Sequence, residues 1–157
     1  MSDRIPITPG GYERLKEELV HLKNVERPEV IKQIEYARSL GDLSENAEYE
    51  SAKDKQSMIE GRIKDVESKI GLAEVIDPVQ IKNKDKVVFG LTVTVEDIET
   101  GEAEKYQLVG PDETDPDSGL ISITSPIGRA LVGKELDDEV KVMAPGGMRE
   151  LVITSID

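Results

Sequence analysis

The chain has no cysteine, no tryptophan, one phenylalanine and one histidine in 157 residues. Without cysteine there is no disulfide framework and no thiolate metal site. A lone His21 removes histidine-based metal clusters and all but removes His-dependent triads. Aromatic residues make up 3%, too few for a platform on which single-stranded nucleic acid would stack. Positive charge is also in deficit. The net charge is −13, split as −4 over residues 1–76 and −9 over residues 77–157. A broad basic face for duplex DNA is therefore excluded, because phosphate neutralisation dominates such affinity. Any nucleic-acid contact has to be a local cluster. No apolar run approaches membrane-spanning length, and the initial MSDRIPITPGG has no apolar signal segment. A soluble cytoplasmic protein without membrane contact is the expectation.

Hydrophobic residues are 37% and charged residues 34%, enough for a lean core in one or two small domains. Thr8-Pro9 reads as an N-cap followed by proline at the first helical position. Tyr12, Leu15, Leu19 and Leu22 then recur at helical spacing, followed by a second set at Ile31, Ile34 and Ala37. Pro28 separates the sets where the apolar phase shifts. It predicts a kink or register change, with two separate helices as the alternative. Further on, Ala52, Gln56, Ile59, Ile63, Val66 and Ile70 alternate steps of four and three, a coiled-coil seam in which Gly61 is a blemish. Dense charges between them read as a solvated face. The two arms form an antiparallel hairpin of about 30 residues each, roughly 45 Å long at 1.5 Å per residue. Such length suggests reach, although dimerisation along the seam would also use it.

Asp77-Pro78 closes the helical region, and beyond it the period becomes two. Val87-Val88-Phe89, Leu91–Val95, Tyr106–Val109 and Leu120–Thr124 read as strands. Pro111 to Gly119 reads as an acidic loop. Ser125 and Pro126 begin a short helix reaching Gly133. Residues 139–143 and 148–156 form a hairpin around Pro145-Gly146-Gly147. The fold class is α+β: a helical hairpin over residues 1–76, then a small antiparallel-sheet domain over residues 77–157.

The bend carries GDLSENAEY, with carboxylates at Asp42 and Glu45. Asp-x-x-Glu is a capping box, with Asp42 as N-cap and Glu45 at the third helical position. Alternatively the two acids face outward and contribute to a Mg²⁺ site completed by a partner, since two carboxylates cannot close a site alone. Arg38 and Lys53 flank the bend. They are either ordinary solvated charges paired with Glu35, Glu48 or Asp54, or a local cluster for an RNA phosphate. Tyr49 is a packing brace or a base-stacking contact, and His21 a boundary residue.

GDLSENAEY, the preceding ERPEVIKQIEYARSLGD, the later EGRIKDVESKI and the C-terminal SPIGRALVGKELDDEV and APGG resemble the bacterial Gre transcript-cleavage factor family, GreA type, over nearly the whole chain. The resemblance implies a coiled-coil hairpin with its acidic tip at residues 41–45 and an FKBP-like C-terminal domain. It implies docking on RNA polymerase through Ser125, Pro126 and Ile127, with the hairpin in the secondary channel. Asp42 and Glu45 match the tip acids that help hold a second Mg²⁺ and a water, the metal being bound only in the polymerase complex. The polymerase then cleaves the 3′ end of backtracked nascent RNA with its own active site, so the chain is an accessory factor, a monomer, and not itself an enzyme. Arg38 and Lys53 match positions that meet the extruded RNA. Lysine, unlike arginine, cannot grip phosphate bidentately, and short cleavage products are expected. The other readings are a channel-binding inhibitor, which the presence of both acids disfavours, a peptidyl-prolyl isomerase, with only Phe89 and Tyr106 to line a pocket, and a scaffold. A self-contained nuclease lacks ligands for two metals.

Overall fold

The computed structural model describes residues 4–42 and 46–157. Contacts divide the chain into two compact units, Tyr12–Leu72 and a second formed by Met1–Gly11 with Ala73–Asp157. The sequence had suggested a division after residue 76. The difference arises because strand β1 (Ile5–Ile7) pairs in parallel with β2 (Ala73–Val75), so both ends of the helical segment are tied to the globular unit.

Helix α1 (Pro9–His21) starts as the Thr8-Pro9 pair predicts: the Gly11 amide donates to Thr8 Oγ1 at 3.2 Å. It runs through a π-helical turn, Leu22–Glu26, into α2 (Arg27–Ser39). The turn is the register change anticipated at Pro28. The Arg27 amide reaches back to the Leu22 carbonyl, and proline, which has no amide to offer, sits in the first turn of the resumed helix. One extra residue in the turn rotates everything after it. The buried set of α2 is therefore Val30, Ile34 and Ala37, whereas Ile31, expected in the apolar set of this arm, is 40% exposed.

Helix α3 (Ala47–Leu72) returns along α2. Ala52, Ile59, Ile63 and Val66 are buried as the seam predicts, with Gln56 and Ile70 half-buried. At 1.5 Å per residue its 26 residues span about 39 Å. Full burial of each large aliphatic side chain stabilises the pair by about 1.5–3 kcal/mol. Glu60, Arg62 and Glu67, assigned to a solvated face, join the arms instead. Arg27 holds Glu60 with two bonds of 2.8 Å, Arg62 holds Glu18 at 2.6 and 2.7 Å, and Lys23 reaches Glu67 at 3.1 Å. The Arg27 and Arg62 guanidiniums keep the Glu60 and Glu18 carboxyls below the usual carboxylate range. Half-exposed pairs add little stability, but bidentate geometry fixes which residues stand level.

In the globular unit, β3 (Thr92–Asp97), β4 (Ala103–Val109), β5 (Leu120–Ser122), β6 (Glu139–Ala144) and β7 (Gly147–Ile156) form one sheet in the order β5-β4-β3-β7-β6. It is mixed rather than wholly antiparallel, because β4 and β5 run parallel. Val87-Val88-Phe89 is not a strand. The segment makes one bridge, Lys86 with Glu135, and Val87 exchanges backbone bonds with Gly133 and Lys134. The turn at Gly90 ends it before a ladder can form. Helix α4 (Pro126–Leu131) lies over a core of Val87, Val93, Val95, Leu108, Leu131, Val140, Leu151 and Ile153, the small sheet-and-helix arrangement expected of an FKBP-like domain. The acidic loop is only partly solvated. Glu113 is buried and accepts hydrogen bonds from the Thr8 amide at 2.8 Å, the Gly110 amide at 3.0 Å and the Thr8 hydroxyl. Its carboxylate thereby anchors the start of α1 to the loop after β4. No helix among the described residues is long and apolar enough to cross a membrane.

Candidate functional site

The chain leaves α2 by a tight exit. The Leu40 amide bonds to the Ala37 carbonyl at 3.2 Å and the Gly41 amide to the Arg38 carbonyl at 3.3 Å. Gly41 has φ +107°, a conformation that a side chain would strain. Asp42 follows, exposed at the bend, and Glu45 lies outside the described residues.

Glu45, the second acid of the expected capping box, lies outside the described residues. Helix α3 starts at Ala47, four residues later than a cap at Asp42 would place it, and Asn46 caps it. Asn46 Oδ1 accepts the Tyr49 amide at 3.0 Å, while Asn46 Nδ2 donates to the Ala37 carbonyl at 2.7 Å. One amide group thus satisfies an orphan donor at the start of α3 and an orphan acceptor at the end of α2. The signal was in the sequence, as an asparagine three residues before Tyr49 at the start of the seam. The Asp-x-x-Glu pattern obscured it.

Arg38 and Lys53 share one side of the hairpin. Arg38 follows Arg27 by three helical turns and Lys53 precedes Glu60 by two, so the Arg27–Glu60 pair places both stripes on the same face. In the register set by Ala37–Asn46, Arg38 stands level with the first turn of α3. Lys53 lies about six residues, roughly 9 Å, further from the bend. Among the described residues neither makes the ion pair expected of an ordinary surface charge. Lys53 donates to Gln56 Oε1 at 3.2 Å. Tyr49 is half-buried on this side. The opposite side holds a shallow groove lined by Glu29, Lys32, Tyr36, Glu48 and Ser51.

The segment matched to docking is divided in role. Ser125 caps α4, accepting from the Gly128 amide at 3.1 Å and donating to the Ser122 carbonyl at 2.7 Å. Ile127 packs against the core. Pro126 is exposed, as are Arg129 and Val132. Of the aromatics weighed for an isomerase pocket, Phe89 is half-buried. Tyr106 packs on the core and bonds through its hydroxyl to Glu104, which also takes Arg149. Burial and Glu104 push the Tyr106 phenol up. His21 is exposed, 3.7 Å from Glu26.

Among the described residues no three of Asp, Glu and His converge. Asp42, with Glu45 three residues on, offers at most two carboxylates. Such a donor set suits Mg²⁺ only where other oxygens are supplied from outside.

Two family models match the chain: "Transcription elongation factor, N-terminal" over residues 5–75 and "Transcription elongation factor, GreA/GreB, C-term" over residues 82–157. The chain is 55% identical to the transcription elongation factor GreA of Thermodesulfovibrio yellowstonii, covering 99% of this chain and 98% of that one. It is likewise 55% identical to GreA of Neisseria meningitidis serogroup A, covering 98% and 97%. Among solved structures, a GreA/GreB factor from Nitrosomonas europaea is 23% identical with a TM-score of 0.44, covering 99% and 98%.

Proposed function

Because the chain belongs to the GreA/GreB family of transcription elongation factors, we propose that it binds RNA polymerase, passes its hairpin into the secondary channel and stimulates the polymerase's own cleavage of backtracked RNA. The observation that carries this is Asp42, exposed at the closed end of a two-arm rod whose helix cap is Asn46. The globular unit stays outside and docks through the loop and helix around Pro126. The protein acts as an accessory, because the catalytic apparatus belongs to its partner.

The chemistry follows from the residues. Mg²⁺ bound at the shared site would polarise a phosphoryl oxygen and acidify water. Asp42 and Glu45 would be two of its ligands, and the polymerase would supply the rest. Their negative charge would help to hold the cation at a site that the polymerase completes. Arg38 and Lys53, on one face behind the tip, hold phosphates of the extruded 3′ segment and set its register against the acids. Lys53 provides a point charge rather than a fork, which favours short fragments. The overall charge of −13 repels bulk nucleic acid and leaves that face as the local exception.

The test is single-turnover cleavage in a stalled, backtracked elongation complex with Mg²⁺, comparing wild type with Asp42→Asn/Glu45→Gln. Accelerated release of 3′ fragments by wild type, and binding without acceleration by the variant, is the expected result. Wild-type binding without acceleration would make the protein a channel-binding inhibitor.

A further inference from the structure

Positive charge in residues 77–157 gathers in one place. Five of their eight basic residues fall in two short segments, 82–88 and 129–136. The fold sets these segments side by side. The Val87 amide donates to the Lys134 carbonyl at 2.8 Å, the Gly133 amide donates to the Val87 carbonyl at 2.8 Å, and Lys86 bridges Glu135. Lys82, Lys84, Lys86, Arg129 and Lys134 are all exposed. With two acids, Asp85 and Glu135, the segments carry a net charge of +3, while the rest of residues 77–157 carries −12. Among the described residues none of the five cations takes an acid as partner. Lys141 and Arg149, elsewhere in the same unit, do so with Glu150, Asp97 and Glu104. The face is also partly apolar. Val88, Val132 and Leu136 are exposed on the same two segments. Shallow clefts open beside them, one lined by Lys82, Lys86 and Val88, the other by Lys84 and Leu136, with Asp85 and Glu135 lining both.

Solubility does not call for these cations, because the surplus of acids already holds the unit far from zero charge. A positive, partly apolar face on an acidic unit fits a surface of opposite sign that also carries apolar side chains. Phosphate is the poorer match. The two segments hold no aromatic ring on which a base would stack. The −12 around them repels any nucleic-acid backbone that extends past the face. We infer that this face is an interaction surface for an acidic protein segment of RNA polymerase: Lys82, Lys84, Lys86 and Lys134 steer the encounter, and Val88, Val132 and Leu136 are covered once it forms. This rests on the proposed binding to polymerase. Helix α4 runs from Pro126 into the second segment and carries Arg129, so the face continues the docking surface around Pro126 and gives it a charge. Long flexible lysines act at a distance and raise the association rate, whereas covered aliphatic groups lengthen the lifetime of the complex.

Lys82→Gln/Lys84→Gln/Lys86→Gln removes charge and leaves the apolar groups. Leu136→Ser removes an apolar group and leaves the charge. Association and dissociation rates of the full chain with polymerase are measured over a range of salt, together with cleavage at saturating factor. Expected for the triple variant are an association rate lower by about tenfold at low salt, a flatter dependence on ionic strength and an unchanged maximal cleavage rate. Leu136→Ser should dissociate faster with its association rate nearly unchanged. All four side chains are exposed, and hydrogen exchange at the Leu151 amide should match wild type in both variants. If wild type binds polymerase and the triple variant keeps its association rate and salt dependence, the inference fails while the proposed function stands. Weaker binding of the triple variant to free RNA or DNA, with polymerase association unaltered, would assign the face to phosphates and also overturn it. Self-association of wild type that the variant abolishes would assign the face to a second copy, with the same consequence. If wild type itself does not bind polymerase, the proposed function falls and this inference with it.

Discussion

Two glycines, each changed to alanine, should move stability in opposite directions. A Cβ on Gly128 would lie 2.0 Å from the Ser122 carbonyl oxygen and 3.0 Å from its carbon. The oxygen contact falls more than 1 Å short of an ordinary one, and the obstacle is backbone. Helix α4 has to lift, which strains the packing of Leu131 and weakens the bond from the Gly128 amide to Ser125 Oγ. Overpacking costs about 1–3 kcal/mol, and a weakened cap up to about 1 more. The lower backbone entropy of unfolded alanine offsets about 0.4–1 kcal/mol of this. Because the obstacle is backbone at 2.0 Å, the upper part of the overpacking range applies, and the net expectation is a loss of about 2–3 kcal/mol in the globular unit. Gly61 sits within α3 with nothing within 4 Å of its Cβ position. Its replacement should stabilise the hairpin by about 0.5–1 kcal/mol through helix propensity alone. Native-state hydrogen exchange separates the units, with the Leu151 amide reporting the sheet and the Ile63 amide the hairpin. Gly128→Ala should raise exchange at Leu151 by about 30–150-fold, since 1.4 kcal/mol is a factor of ten. Gly61→Ala should slow it at Ile63. Unchanged exchange at Leu151 in the first variant, or faster exchange at Ile63 in the second, would refute the packing described for each.

Three further outcomes follow from particular contacts. Glu18 and Glu60 have carboxyl pKa values lowered by Arg62 and Arg27. Their contribution is complete above the unfolded value of about 4.3 and lost as pH falls through the folded value. Exchange at Ile63 should be insensitive to these pairs from pH 7 to 5 and accelerate below about 4.3, less steeply in Glu18→Gln/Glu60→Gln. Glu113→Ala leaves the Thr8 and Gly110 amides without their carboxylate partner, and urea unfolding should show a loss of about 2–4 kcal/mol, with Glu113→Gln intermediate. Arg38→Ala/Lys53→Ala should lower cleavage while leaving factor binding to polymerase without RNA unchanged. Equal losses of both in a binding titration would mean that this face meets protein rather than RNA.

Much of the fold was legible because it is written in local periodicity. The seam from Ala52 to Val66, the Thr8-Pro9 start and the Ser125-Pro126 cap each need only neighbouring residues. The unread parts depend on partners far away in sequence. Ile5-Pro6-Ile7 becomes a strand only because Ala73–Val75 lies beside it, and parallel pairing across that separation leaves no local trace. Ile31 rather than Val30 entered the expected apolar set of the first arm because a π turn adds a residue without a marker of its own. Glu60 and Arg62 looked like solvated charge until the register of the arms set them against Arg27 and Glu18. At the tip, the pattern Asp42-x-x-Glu45 is a better capping motif on paper than a lone Asn46. Asn46 accepts the Tyr49 amide and also reaches the Ala37 carbonyl on the other arm, a contact that a single-helix pattern cannot see.

The absence of cysteine allows a direct test of where the tip goes. Ser44→Cys would be the only thiol in the chain, and a short photo-crosslinker attached there can be activated in a backtracked elongation complex. The account predicts crosslinks to the RNA 3′ segment and to the polymerase active centre, lost when excess unlabelled protein competes. Crosslinks confined to the outer surface of the polymerase, in a complex that still binds the protein, would contradict it.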